Sequence, residues 1–205
     1  SDSQISGSAI SSHKNIQLDP LELENIQKDI AYSMIRRKSF NDARVLKKWQ
    51  VIIDATELDE GYQKKNDYYL SRCYNRGKAD KFMKYHRSVL EAKLYLGNDF
   101  VCSIASEPIE NTEEYINQSD EKIKQDCESK AFVRLAKKIK KSFPRLPIII
   151  TADGLYVSQK VIQTCTDNGW DYIIRYKEGC APSIAQEYQE LPEKEKIGSE
   201  IEYQN

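Results

Sequence analysis

Two aspartates occupy unusual places in this chain. Asp54 lies inside the apolar, strand-like run "WQVIIDATEL" (residues 49–58), and Asp153 ends a second such run, "PIIITADGLY" (residues 147–156). A buried strand rarely carries an unpaired carboxylate, because removing the charge from water is costly. Two carboxylates brought together call for a counter-charge, and a divalent cation that prefers oxygen ligands supplies one. A two-metal site of that kind activates a water or a 3′ hydroxyl and stabilises the leaving oxygen at a phosphodiester. Phosphoryl chemistry is therefore the reaction class these residues suggest.

Each acid also has a plainer reading. Asp153 stands directly before Gly154 and could only cap the turn that follows. In "KQDCESKAF", Asp126 and Glu128 open a long helix, where acidic side chains favour the positive end of the helix dipole. Glu57 is an odd number of residues from Asp54 and so falls on the opposite face of a regular strand.

The elements that must position these residues can be read from pattern. Asp19 as N-cap, Pro20 at the first helical position and Glu22 in the first turn open a helix of four or five turns, with Leu23, Ile26, Ile30 and Met34 on one face. Residues 49–58 form a buried strand. The Tyr- and Lys-rich stretch from Asp59 to His86 has no clear period and is expected to be a long irregular insertion or mobile loop. The next segment, "RSVLEAKLYLGNDFVCSIASEPI", is a hairpin turning at Gly97-Asn98-Asp99. From Lys122 to Ser142, Cys127, Ala131, Leu135, Ile139 and Phe143 recur every four residues, as on an amphipathic helix. A strand "IIITAD", a helix from about Tyr156 closed by Asn168-Gly169, a strand "WDYIIRYK" and a short helix from Pro182 complete the order β-β-β-α-β-α-β-α. This is an α/β domain with a mixed sheet and helices on both faces, and the order resembles the ribonuclease H-like fold. In the first strand and its neighbour after the long helix, Asp54 and Asp153 would approach each other.

A length of 205 residues suffices for one substantial core without disulfides or structural metals. Charged residues make up 31% of the chain and no apolar run approaches the length needed to cross a bilayer, so no membrane partner is expected. The first fifteen residues lack the basic segment and apolar core of a secretory signal. The absence of an initiating Met suggests a fragment or processed chain. Five cysteines without a C-x-x-C pair are expected to be reduced thiols. A net charge of −1 gives no global attraction to nucleic acid, so such a partner must be held by local patches. Basic residues cluster at Arg36, Arg37, Lys38, Arg44, Lys47 and Lys48, and again at Lys137, Lys138, Lys140, Lys141 and Arg145. From composition alone either cluster is a solvated face.

The blocks "IDATEL", "YHRSVLEAKL", "KQDCESKAFVRLAKKIKKSFPRLPI", "ADGLY" and "GWDYIIRYKEGCAPSI" together resemble the catalytic domain of DDE-type insertion-sequence transposases over roughly residues 44–190. The resemblance implies a ribonuclease H-like nuclease and strand-transferase in which Asp, Asp and Glu hold two Mg²⁺ or Mn²⁺ ions. Asp54 matches the first family acid and Asp153 the second, as catalytic residues and metal ligands. Glu128 is a possible auxiliary, since ribonuclease H-like enzymes can present a metal-binding glutamate from this helix. The third acid of the family lies on a later helix in a motif resembling W-K-I-E-N-E, which nothing in residues 154–205 matches. The expected division is a polar leader and helix over 1–43, the catalytic domain over 44–190, and a charged tail over 191–205 that stops before the third acid.

The function expected is metal-dependent cleavage and strand transfer of double-stranded DNA, at element ends and target, in a bacterial or archaeal cytoplasm. The fragment is expected to be inactive alone and the full-length protein to be a homodimer. Under this reading Lys137, Lys138, Lys141 and Arg145 become phosphate contacts. The alternative is an inactive transposase remnant that keeps only a DNA-binding or structural role. A haloacid dehalogenase-like phosphohydrolase is a weaker reading of "IIDAT", because that signature needs an acid where Thr56 stands. A zinc site on Cys73 and His86 has too few ligands.

Overall fold

The computed structural model describes residues 19–111, 126–175 and 182–192. Helix α1 (Pro20–Ile35) leads through a 3₁₀ turn (Lys38–Ala43) into β1 (Trp49–Gly61), β2 (Leu70–Tyr74), β3 (Phe82–Tyr95) and β4 (Val101–Ile109). There follow α2 (Glu128–Ser142), β5 (Ile148–Ala152), a 3₁₀ turn (Gly154–Tyr156), α3 (Gln159–Asn168), β6 (Asp171–Ile174) and α4 (Pro182–Glu190). The sheet is mixed. β1, β3 and β4 form an antiparallel meander, β2 joins the outer part of β3, and β5 and β6 add in parallel beside β1. This is the mixed α/β architecture expected, a sheet flanked by helices and consistent with the ribonuclease H-like fold.

Alternation builds the inner half of the sheet. Trp49, Val51 and Ile53 of β1 are buried on the same face as Ala92 and Leu94, their antiparallel partners on β3 being Leu94 for Val51 and Ala92 for Ile53. Phe132, Leu135, Ala136 and Ile139 of α2 pack into this core with Ile148 and Ile150 of β5. Ile148, Ile149 and Ile150 are all buried, as befits a parallel strand with neighbours on both sides.

Local signals account for the boundaries. Asp19 accepts from the Leu21 amide at 2.9 Å and Pro20 fills the first helical position, as its lack of an amide hydrogen allows. The β3–β4 turn places Gly97, Asn98 and Asp99 at positive φ. α3 ends on Gly169 in the left-handed region, with the Trp170 amide bonded back to the Cys165 carbonyl at 3.0 Å.

Three expectations need correction. The stretch from Asp59 to His86 is not an irregular loop: β1 continues to Gly61, β2 spans Leu70–Tyr74, and β3 begins at Phe82. Its strands are pinned by cross-strand aromatic and charged pairs, which leave no hydrophobic alternation to read. Second, α2 starts at Glu128, and Cys127 is its exposed N-cap rather than a core position. Asp126 precedes the helix, where Arg134 pairs with it at 2.7 Å; residues 122–125 lie outside the described residues. Third, the face of α1 carrying Leu23, Ile26 and Ile30 is largely exposed. The helix docks instead through Ala31, through the Tyr32 ring on Phe143 at 5.0 Å between centroids, and through the Tyr32 hydroxyl, which donates to the Ser142 carbonyl at 2.8 Å.

α2 is tied to β4 by charge as well as packing. Arg134 donates to both oxygens of Asp126 and to Glu107 and the Pro108 carbonyl. The Asp126 side chain is fully buried, and the pair of carboxylates raises the Arg134 pKa despite burial.

Candidate active site

The parallel ladder between β1 and β5 fixes where the two aspartates stand. Each β1 residue faces the β5 residue 99 positions later, from Trp49 opposite Ile148 to Ile52 opposite Thr151. Continued by two residues in the same register, the ladder sets Asp54 beside Asp153. Neighbouring strands lie about 4.8 Å apart, and in-register partners project to the same face. In that register the two carboxylates would share one face, midway along β1 and just past the carboxyl end of β5, the end at which open α/β sheets bind ligands.

That face is opposite to the packed one. Val51 and Ile53 point into the core under α2, so Gln50, Ile52 and Asp54 point the other way. Gln50 reaches Thr151 across this face at 3.0 Å. Asp54 is exposed, and Asp153 is half-buried. The premise of two buried carboxylates is thus replaced by two carboxylates on an open surface. No described residue forms a hydrogen bond or ion pair with Asp54. Asp153 also performs the turn-capping role of the plainer reading: its Oδ1 accepts from the Leu155 amide at 2.9 Å. The cap holds the carboxylate in one orientation and is compatible with a second task for it.

Tyr156, inside the "ADGLY" block, lies next to the candidate residues and was not singled out by the sequence alone. Its amide donates to the Asp153 carbonyl at 3.1 Å, and its ring meets Phe132 of α2 edge-on, 6.3 Å between centroids. The residue is 2% exposed, and its hydroxyl reaches no partner at full hydrogen-bonding geometry. Burial raises its pKa first, followed by the negative charge of Glu128, which is near enough to act on the hydroxyl as an acceptor, and then by Asp153 and Asp54. All three carboxylates thus act electrostatically on one buried phenol. Glu128 is the first residue of α2 and half-buried. It approaches from the helix side, and among the described residues no group of three His, Cys, Asp or Glu side chains gathers to hold an ion.

The predicted basic residues are distributed differently. Lys137, Lys141 and Arg145 are exposed and without a carboxylate partner among the described residues, whereas Lys138 pairs with Glu107 at 2.9 Å and Glu24 at 3.4 Å. Because α2 runs antiparallel to β5, Lys141 lies about 20 Å along the helix from Glu128, at 1.5 Å per residue. Lys141 and Arg145 therefore sit by the start of β5, at the end of the sheet remote from Asp153.

Oxygen donors fit a hard divalent cation, and Mg²⁺ commonly takes one or two carboxylates while keeping waters. Two carboxylates in adjacent register would meet that requirement; among the described residues no group of three acids gathers to complete it. No helix among the described residues is long and apolar enough to cross a membrane.

Residues 124–202 match the family described as Transposase DDE domain. Asp153 and Glu128 lie within the match and Asp54 precedes it. No curated protein and no solved structure matches the chain. The carboxyl-terminal part of the chain is thus similar to the DDE transposase domain, on a mixed sheet with one more strand before the long helix than the order read from the sequence.

Proposed function

We propose that this domain performs metal-dependent cleavage of DNA strands and their transfer to target DNA, with Asp54 and Asp153 as the residues that hold the metal. The observation carrying this reading is the β1–β5 register, which when continued sets the two acids side by side. Mg²⁺ or Mn²⁺ bound there would supply Lewis-acid activation of a water or 3′ hydroxyl and stabilisation of charge at the phosphodiester. Asp54 presents its carboxylate to solvent, where a DNA strand can approach it. Asp153 is oriented by the Leu155 amide, so its oxygens are preset rather than recruited. Glu128 acts as an auxiliary acid on the far side of Tyr156, and its charge adds to the negative potential that draws a cation to this end of the sheet.

The second reading, a domain that keeps DNA binding or a structural role without chemistry, is favoured by the lack of a three-acid cluster among the described residues. Nicking of supercoiled DNA by the full-length protein in Mg²⁺ or Mn²⁺ distinguishes the two. Under the first reading Asp54→Asn or Asp153→Asn each abolishes cleavage. Cleavage that survives in either variant removes that aspartate from the site, and a wild-type protein that binds DNA without cutting it supports the second reading.

A further inference from the structure

Beyond Asp54, β1 and β3 continue with β2 as an arm over residues 57–87, whose base is held to the core by buried Tyr69, Leu70 and His86 and whose outer end, around the β2–β3 turn, is exposed. The arm carries eight Lys and Arg residues against five Asp and Glu, in a chain whose net charge is −1. Its ion pairs show where the surplus lies. Lys64 pairs with Asp67, Lys65 with Asp59, Arg72 with Glu57, Lys84 with Glu60, and Arg87 with Glu110. The remaining acid, Asp80, accepts from the Asn75 amide at 2.6 Å. Three cations have no carboxylate partner among the described residues: Arg76, Lys78 and Lys81. All three are exposed on the turn between β2 and β3, where Asn75 and Gly77 adopt positive φ.

The turn rests on a stiff base. Tyr74 and Phe82, opposite each other on β2 and β3, stack at 5.0 Å with planes 5° apart, Tyr62 packs on Phe82 at 6.0 Å, and Lys84 lies over both tyrosines. The direction of the arm is equally defined. β1 is parallel to β5, so it leaves the sheet at the end that carries Asp153. Asp54 pairs with Glu91, and the nine residues of β3 back to Phe82 extend about 30 Å at 3.3–3.4 Å per residue. That length matches about nine nucleotides of a DNA strand, whose phosphates are spaced about 3.4 Å apart along the axis.

We infer that the arm of residues 57–87 is a DNA-backbone contact, in which Arg76, Lys78 and Lys81 grip phosphates about nine base pairs from the strand held at Asp54 and Asp153. The inference rests on the reading of this domain as one that acts on DNA. It assigns the main phosphate contacts near the site to the arm rather than to the α2 cluster, whose outer cations lie at the other end of the sheet. Phosphate contacts of this kind carry no sequence information and position the duplex.

The test is binding of a fluorescent DNA duplex to the full chain across a salt series, for the wild type, for combined Arg76→Ala, Lys78→Ala and Lys81→Ala, and for combined Lys137→Ala, Lys141→Ala and Arg145→Ala. Each phosphate contact contributes about 0.9 to the slope of log affinity against log salt, so the arm variant should lose up to about 2.7 of slope and about tenfold or more in affinity near 100 mM salt. The α2 variant should lose less. Wild-type affinity and slope in the arm variant, with duplex binding intact, overturn the inference and leave the function standing. Failure of the wild type to bind any duplex overturns both. Superimposable thermal melts of the variants keep loss of binding separate from loss of fold.

Discussion

The same two strands pass through two regions built on different principles. In the inner half, β1 and β3 bury Val51, Ile53, Leu90, Ala92 and Leu94 beneath α2, and burial of apolar area holds them together. In the outer half, the same strands carry Glu60, Lys84 and Phe82, with Tyr62 just past the end of β1, and cross-strand ion pairs and packed rings hold them. The register shift between Glu57 and Asp59 lies at the junction, where a bulge increases local twist and re-aims the strand. Asp54 is placed just inside that junction. Under the proposed function the apolar region positions the chemistry, and the polar region reaches outward for contact.

The sharpest test of the contrast is in the core. Phe132→Ala removes a fully buried ring that packs on Tyr156, and should cost about 3–5 kcal/mol in urea unfolding. A loss as small as a surface substitution would break the claim that α2 anchors the inner half. Next is Arg134→Ala, which strands the fully buried Asp126 carboxylate. Uncompensated buried charge costs about 3–5 kcal/mol, and a guanidinium one-third exposed lowers the expectation to about 2–3 kcal/mol. Arg134→Lys should recover only part of it, because the bidentate grip on Asp126 is lost.

In the arm the effects are smaller and local. Phe82→Ala removes two ring contacts worth about 1 kcal/mol. Faster amide exchange should be confined to β2 and the outer parts of β1 and β3, and loss of protection in the inner half would show that the two regions are not separable. The smallest effect concerns pH. Burial, reinforced by the Arg72 charge, holds His86 below the ordinary imidazole value of 6.5. The unfolded chain then binds the proton more readily, so the contribution of His86 is full above about pH 6.5 and is lost as pH falls through its lower folded value. The urea midpoint should fall between about pH 7 and pH 5, and fall less in His86→Gln. Identical pH profiles would remove His86 from the account.

How far the sequence reached follows the same division. Apolar strands, the hairpin at Gly97-Asn98-Asp99 and the helix stop at Asn168-Gly169 are local signals, and they were legible in the sequence. The positions of Asp54 and Asp153 in neighbouring strands were legible as well, because each follows an apolar run and the 99-residue spacing between them equals the β1–β5 offset; their role as a site is what we propose. The arm was not, because its pairing depends on partners far apart in the chain, such as Lys84 with Glu60, rather than on hydrophobic period. Tyr156 was hidden for a related reason. A tyrosine after a strand reads as core, and only the fold brings its hydroxyl under the electrostatic influence of Glu128, Asp153 and Asp54.

The central claim is that Asp54 and Asp153 form one metal site. Anomalous diffraction from crystals soaked in Mn²⁺ measures this directly. The account predicts a manganese peak within coordination distance of both carboxylates, lost in Asp153→Asn, and a peak bound by neither aspartate, or by Glu128 without them, would contradict it.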